Sequence, residues 1–431
     1  MFIRYYIIHR FELRLRMNSI IEKYNLGKDK YILFVYLFLL LTPWGLFKSQ
    51  VAIFSSVLFV WGLIKYKEDV LQKLSIVWKF KPLLLWLGFV LFCFIAVLWS
   101  DSFTEGFKRV FNFHKYEFLF GTALLISLTK EQAITAIKVL LFSFVGYALF
   151  STFIYFDIIN IVGSSALNPK GILRFSIATQ YMVIASFISI IFAIYSKNKN
   201  EQIVLVLVSL LSIFALFINY SRTSQLAFIL ILMIFTIIFS IKNIKLAIVN
   251  ILLVVIVLFS FSQNERMVSK FNSALQEVEN IYNNNIYLGS FGVRLFFNKT
   301  GIEMIKENPF FGVGPVDNRN ILVEKEKSDE KYKDVIVKHF HSEHMEILTA
   351  YGLVGYLLLV SAIVLLIIKL RKQNLYYYIS LSVFLSLFFI SFANKTLALK
   401  PLNYIYVIFF ILLSIIAYYN EEEKVLREGR E

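Results

Sequence analysis

The chain has 431 residues, of which 58% are hydrophobic and only 17% are charged. A soluble domain normally carries about a quarter charged residues, and apolar runs as long as these cannot all be buried in one soluble core. The runs are about 16–24 residues long and continuous, which fits membrane-crossing helices better than the short alternating strands of a barrel. The composition therefore predicts an all-α fold, a polytopic transmembrane helical bundle.

The formal net charge is +15, which in a soluble protein would favour nucleic-acid binding. Here many of the Lys and Arg residues lie in short loops between apolar runs, as the positive-inside rule expects. Membrane lipids are therefore predicted as partners, and nucleic acid is not. A single cysteine, Cys93, excludes an intramolecular disulfide and argues against a thiol-ligated metal site.

In chain order, a basic segment over 1–30 without a small-residue cleavage site is expected to be a cytoplasmic tail. About twelve apolar runs follow, nine within 31–263 and three within 345–418, and 419–431 forms a second cytoplasmic tail. The hydrophilic segment 264–344 separates the ninth run from the tenth and is predicted to be one large extracytoplasmic loop, with a few helices that cap a membrane cavity. The predicted spans are 31–46, 50–66, 82–100, 116–129, 135–157, 173–196, 202–220, 224–240, 244–263, 345–369, 375–393 and 401–418.

Several basic residues contradict the charge bias that sets this orientation. By the predicted topology they lie outside or at the outer rim, although positive charge normally collects inside. An arginine at the outer face against this bias requires a partner. The residues concerned are Lys108, Arg109, Arg174, Arg222, Lys395 and Lys400.

The segment 220–224 (Tyr-Ser-Arg-Thr-Ser) stands between two apolar runs and leaves hardly any room for a loop. Arg222 must therefore lie at membrane depth or at its rim, where an ionisable residue is costly and indicates function. A guanidinium holds phosphate oxygens through two parallel hydrogen bonds. Snorkelling to the interface is the structural alternative. Arg174 is a weaker candidate of the same kind.

The segment 308–315 (Asn-Pro-Phe-Phe-Gly-Val-Gly-Pro) follows a helical pattern that carries Arg294. Asn-Pro ends a helix, and Gly312 and Gly314 permit backbone conformations closed to other residues. The segment is interpreted either as an ordinary helix stop or as a turn that closes over a ligand and fixes the helix of Arg294. The segment 351–355 (Tyr-Gly-Leu-Val-Gly) predicts close helix packing.

The segment 339–344 (His-Phe-His-Ser-Glu-His) holds three of the five histidines. Histidine is the side chain best suited to moving a proton near neutral pH. A solvated loop end and a zinc site are the alternatives, although the zincin pattern is absent. The chain also lacks glycine-rich nucleotide loops and the Asp-x-Asp signature, so neither a metal nor another cofactor is predicted.

The chain resembles the O-antigen ligase/polymerase family over roughly 200–360. The resemblance is carried, in chain order, by the segment 221–224, by Arg294, and by the segments 308–314, 339–342 and 346–355. The family usually has His-Asn where this chain has His341 and Ser342. The resemblance implies a metal-independent glycosyltransferase of the bacterial inner (plasma) membrane, multi-pass, with an extracytoplasmic active site. Its donor would be a glycan linked to undecaprenyl diphosphate, and its acceptor a hydroxyl on the lipid A core or on a glycan.

The expected catalytic residues are His341 as the base that activates the acceptor hydroxyl, and Arg222 and Arg294 as the clamp on the diphosphate. The expected substrate-binding residues are Arg174, His339, His344, Gly312 and Gly314. An O-antigen or exopolysaccharide polymerase of the same family is the first alternative. A transporter of lipid-linked sugar would show two related halves, which the sequence lacks. A non-enzymatic assembly partner is the last alternative.

Overall fold

The computed structural model describes residues 29–45, 51–240, 248, 265–284, 287, 289–328 and 339–428. Within these residues the chain is helical and forms no strand, so the predicted all-α class is confirmed. The helices, numbered along the described chain, are α1 Lys30–Leu41, α2 Val51–Lys65, α3 Val70–Leu74, α4 Ile76–Lys79, α5 Lys81–Ile95, α6 Phe103–Ser127, α7 Lys130–Tyr155, α8 Phe175–Tyr195, α9 Lys199–Ile218, α10 Arg222–Ser240, α11 Glu265–Asn284, α12 Gly289–Glu307, α13 Asp317–Ser328, α14 Glu343–Leu370, α15 Asn374–Ser391 and α16 Lys400–Glu428.

In the described part of the chain, 8 helices are long and apolar enough to cross a membrane. Two further apolar helices, Lys30–Trp44 and Val51–Lys65, are shorter than a full span. The predicted count of about twelve spans is therefore not confirmed. Most of the fourth predicted span, 116–129, falls in the second half of α6, whose first half is polar. The ninth, 244–263, lies almost wholly outside the described residues. The long apolar helices are Lys81–Trp99, Lys130–Tyr155, Phe175–Tyr195, Lys199–Ile218, Arg222–Phe239, Glu343–Leu370, Asn374–Ser391 and Lys400–Leu426.

Helices α8 and α16 lie at the centre of the bundle, and most of their side chains are buried. α16 packs against α6, α7, α14 and α15, and α8 packs against α7, α9 and α15. Three buried serines of α15 have hydrogen-bond partners, because Ser380, Ser382 and Ser386 donate to carbonyls one turn back on their own helix. A bundle of this kind fixes the helix ends from which the site is built.

The hydrophilic segment between the ninth and tenth predicted spans contains α11, α12 and α13. α12, α13 and the histidine segment form a second, smaller hydrophobic core, made of Phe296, Phe297, Met304, Leu322 and Phe340. Phe340 belongs to the histidine segment, so this small core attaches that segment to α12 and α13. The extracytoplasmic position of the whole segment 264–344 stays a prediction.

The segment 308–315 joins α14 backbone to backbone at a break in that helix. Gly352 interrupts α14 with φ 62° and ψ −167°, a conformation open essentially only to glycine. The amides of Leu353 and Val354 donate to this segment, and two amides of the segment donate to α14 carbonyls before the break, all at 2.8–3.1 Å. The two motifs 308–315 and 351–355 are therefore two sides of one backbone joint.

Candidate functional site

The histidine segment presents two imidazoles on either side of a buried anchor. Phe340 is 1% exposed and inserts into the small core, which turns His339 and His341 toward each other. The two imidazole centroids are 3.9 Å apart, and the ring of Phe297 stacks on His341 at 5.7 Å. His341 has φ 53°, an uncommon conformation outside glycine, and such strain concentrates at functional sites.

The hydrogen bonding and charge around this pair keep both rings neutral. The backbone N–H of His341 donates to Nδ1 of His339 at 3.1 Å, so the ring proton of His339 resides on Nε2. Burial, followed by the charge of Lys395, lowers the pKa of His339 to about 3. Burial and then the charges of Arg294 and Lys395 lower the pKa of His341. A neutral His341 is able to accept a proton at neutral pH.

Arg294 reaches the imidazole pair from α12. It lies three residues before Phe297, so both side chains share one face of the helix. Burial and then the charge of Arg222 lower the pKa of Arg294, and Glu277 opposes this shift only partly. Arg222 and Arg294, which the sequence separates by 72 positions, are therefore close enough to repel each other. Two guanidinium groups held in this way favour an anionic ligand.

The turn that carries Arg222 is pinned by buried polar side chains. Arg222 is the first residue of α10 and is itself exposed. Before it, the amide of Asn219 donates to the hydroxyl of Ser151 at 2.7 Å. After it, the hydroxyl of Ser224 lies 2.8 Å from that of Thr179. These four polar side chains are buried, so their hydrogen bonds hold the start of α10 in one place.

A buried carboxylate collects three further cations. Oε1 of Glu346 lies 2.6 Å from Nη2 of Arg109, 3.8 Å from Nζ of Lys395 and 3.9 Å from Nη2 of Arg319. Only the Arg109 contact is a hydrogen bond, and one carboxylate neutralises one charge of three. Burial lowers the pKa values of Arg319 and Lys395. The cluster therefore adds positive charge near His339, and Glu346 is a partner for Arg109.

The loop that carries Lys395 is fastened by Glu343. One carboxylate oxygen of Glu343 accepts the amides of Thr396 at 2.9 Å and Ala398 at 3.0 Å. Glu343 is 4% exposed, so both hydrogen bonds are buried. Lys395 precedes this pair of amides and is thereby held beside the imidazoles.

Ser342 takes the place where the resemblance expects asparagine. Its hydroxyl accepts the amide of Met345 at 3.4 Å and caps the N-terminus of α14. The same hydroxyl donates to the carbonyl of Ser391 at 3.1 Å, which ties α14 to the end of α15. A serine is sufficient for both roles, and it fixes the backbone that follows His341.

The remaining predicted site residues lie in three places. Arg174, at the N-cap of α8, adds to the positive charge that lowers the pKa of His339. His344 instead places Nε2 3.0 Å from the carbonyl of Phe388, on the α15 side of α14. Gly312 and Gly314 lie in the backbone joint, where a Cβ on Gly312 would stand 2.6 Å from the Ala350 backbone. The functional role of each remains a prediction.

The predicted site set did not include Arg109, Arg319, Lys395, Glu343 and Glu346. The sequence signal for Arg109 and Lys395 was their positive charge at the predicted outer rim. Arg319 and Glu346 carried no such signal, because charges in a hydrophilic segment or at a helix start are ordinary. Among the described residues no group of three or more His, Cys, Asp or Glu could hold a metal ion, so the zinc alternative finds no ligand set there.

The positive charge and burial around His341 predict the direction in which its pKa is shifted. We expect its pKa to lie below the ordinary value of about 6.5, because burial and the charges of Arg294 and Lys395 disfavour the imidazolium. In Arg294→Gln one of these charges is gone, so the pKa should rise toward that value. Histidine-selective NMR titration of the purified protein measures the pKa of His341 in the wild type and in Arg294→Gln. Arg371→Gln, at the far end of α14, should leave the pKa of His341 unchanged. An equal rise in both variants would contradict the assignment of the lowered pKa to the charge of Arg294.

The fold and the site together define a polytopic helical membrane protein with a cationic pocket around two neutral imidazoles. Residues 207–360 match the sequence model of the O-antigen ligase family. This match, which includes Arg222, Arg294 and His341, confirms the predicted resemblance to that family. The family is enzymatic and comprises ligases and polymerases of the membrane glycosyltransferase kind. No curated protein matches the chain.

Proposed function

We propose that this chain transfers a glycan from undecaprenyl diphosphate to an acceptor hydroxyl, as an O-antigen ligase does with the lipid A core. The reaction takes place at the outer face of the bacterial inner membrane. The observation that carries the proposal is the electrostatic coupling in the pocket, where the charge of Arg294 lowers the pKa of His341 and the charge of Arg222 lowers that of Arg294. This set offers a proton acceptor and a diphosphate clamp side by side.

The arginines act on the leaving group. As the bond between the anomeric carbon and the diphosphate oxygen breaks, negative charge develops on that oxygen. Preorganised cations lower the barrier to this charge separation more than most other interactions do. Arg222 on the pinned turn and Arg294 on α12 approach the diphosphate from two elements, with Arg174 as a third cation. Undecaprenyl diphosphate is released with both phosphates intact.

His341 acts on the acceptor. The acceptor oxygen forms a bond to the anomeric carbon, and its proton passes to the imidazole of His341. His339 orients the ring through the backbone N–H of His341 and does not itself take the proton on Nδ1, which that N–H occupies. A direct displacement of this kind inverts the configuration at the anomeric carbon. No step requires a metal ion.

The two arginines are tested by lysine substitution. Arg222→Lys and Arg294→Lys keep the positive charge but replace the planar fork by a point charge. We expect each to lower transfer from an undecaprenyl-diphosphate glycan by about tenfold or more, because a charge-assisted hydrogen bond contributes about 1.5–3 kcal/mol. The assay uses the purified protein in nanodiscs and scores the covalent product.

The matched control is Arg371→Lys, an exposed arginine at the opposite end of α14. Its transfer rate should equal that of the wild type. Unchanged rates in both pocket variants would rule out a bidentate clamp. Lipid A core and a second lipid-linked glycan are offered as acceptors in parallel, since a product formed only on the second would mean a polymerase.

A further inference from the structure

The proposed mechanism leaves one group of cations without a ligand. This group consists of Arg109 on α6, Arg319 on α13 and Lys395 in the loop before α16, and all three contact the same oxygen, Oε1 of Glu346. We call these three cations and their carboxylate the Glu346 cluster. The arginines assigned to the donor diphosphate come from α10 and α12, so the two sets of cations stand on different elements of the fold.

The Glu346 cluster has more positive charge than its carboxylate neutralises. Arg109 donates the hydrogen bond to Oε1 of Glu346 at 2.6 Å, whereas Lys395 and Arg319 remain at 3.8 Å and 3.9 Å, beyond hydrogen-bond distance. Glu343 is the other carboxylate that acts on Lys395, but it already accepts two backbone amides. Even with Glu343 counted, two negative charges face three positive ones.

Two cations of the cluster have donors that no acceptor uses. Lys395 is 9% exposed, and within the described part of the chain its Nζ donates no hydrogen bond. Nε of Arg319 is buried and also lacks an acceptor among the described residues. Buried cations in proteins are normally paired and hydrogen-bonded, because removing them from water is costly. The unused donors therefore indicate that an anionic ligand completes the cluster.

The charge of the cluster is felt at both imidazoles. Besides burial, the charge of Lys395 contributes most to the lowered pKa of His339, and Arg319 also contributes. For His341, burial and the charge of Arg294 come before that of Lys395. The reaction has two substrates, and the donor diphosphate is assigned to the arginines of α10 and α12. The cluster is thus available to the other substrate, the acceptor, near the base that activates it.

We propose that the Glu346 cluster binds an anionic group of the acceptor, a phosphate or a carboxylate close to the hydroxyl that reacts. The proposal rests on the proposed function and adds a substrate class to it, an anionic glycan as acceptor. The guanidinium of Arg319 pairs with two oxygens of such a group, and Lys395 supplies a point charge. Arg109 keeps its hydrogen bond to Glu346 and positions that carboxylate.

The test compares three acceptors with one undecaprenyl-diphosphate glycan as donor. They are intact lipid A core, the same core with its phosphate esters removed, and the same core with its carboxyl groups reduced as well. The wild type should use an anionic acceptor with a kcat/KM about tenfold or more above that of the neutral one, as one charge-assisted hydrogen bond provides. The step at which kcat/KM falls tells phosphate from carboxylate. Equal values for all three acceptors would overturn the inference.

Arg319→Gln tests the cluster itself, because this side chain is 42% exposed and the fold should tolerate its replacement. The variant should lose most of the preference for the anionic acceptor, while its rate with the neutral acceptor and its KM for the donor stay at the wild-type values. Lys395→Gln should behave in the same way. A raised KM for the donor, or an equal loss with every acceptor, would overturn the inference.

Lys108→Gln is the matched control. It removes the same charge from an exposed position next to Arg109 on α6, outside the Glu346 cluster. We expect the preference for the anionic acceptor to be retained in this variant. A loss equal to that of Arg319→Gln would mean general attraction of anions to a basic surface and would also overturn the inference.

Equilibrium binding of the acceptor without donor separates this inference from the proposed function. If the wild type transfers to no acceptor, the proposed function fails. The neutral acceptor should still bind about tenfold or more weakly than the anionic one, and Arg319→Gln should remove this difference. Equal Kd values for the two acceptors would overturn the inference even where transfer is observed.

Discussion

His341→Ala is expected to lower the rate of glycan transfer by about 10²–10⁴-fold, the usual contribution of a positioned base. The alanine variant leaves the acceptor hydroxyl without a proton acceptor, while the arginine clamp is retained. The rate is measured with saturating donor in nanodiscs, where kcat should fall and donor affinity should change little. Transfer at the wild-type rate would remove the proposed base.

A structural role for His341 would produce the same loss, so two further measurements are needed. Exogenous imidazole should restore part of the rate in His341→Ala, because it supplies a proton acceptor in the vacated space. His339→Gln should lose less, since it removes only a ring that orients His341 through one backbone hydrogen bond. A larger loss of transfer rate in His339→Gln than in His341→Ala would mean that His339 is the base and His341 the orienting residue.

Gly352→Ala is expected to destabilise the protein severely and to abolish transfer. The φ of +62° and ψ of −167° cost a non-glycine residue about 1–3 kcal/mol. The added Cβ would also overlap the backbone of Phe310 and Phe311, which cannot move aside without breaking the joint with 308–315. Thermal unfolding in detergent measures the loss of stability. Gly312→Ala, on the other side of the backbone joint, should destabilise the protein in the same way.

Two other glycines separate the conformational cost of a positive φ from the steric clash of the added Cβ. Gly88→Ala meets only a Leu358 methyl group at 3.8 Å and should be neutral or stabilising in a helix. Gly163 has φ +80° with nothing within 4 Å, so Gly163→Ala carries the conformational cost without a clash. We expect the order of destabilisation to be Gly352→Ala, then Gly163→Ala, then Gly88→Ala. An unfolding midpoint for Gly352→Ala equal to that of the wild type would contradict the close backbone pairing of Gly352 with 308–315.

The sequence by itself determined the class of fold and the residue types of the site. Continuous apolar runs require lipid, and lipid requires backbone groups to be satisfied within helices, so helical spans follow from composition alone. Arg222 was identifiable because a charge between two apolar runs is costly. His341 was identifiable because histidines were few and three of the five fell in one short segment.

The tertiary structure decided which of these residues meet. Three contacts join residues that are far apart in the chain. They are the pairing of 308–315 with the break at Gly352, the cations around Glu346, and the contact of His344 with the Phe388 carbonyl. Local patterns specify what a helix buries, but they carry no information about which distant backbone or charge lies opposite. That choice is made by packing, here by the small core around Phe340 and the bundle around α16.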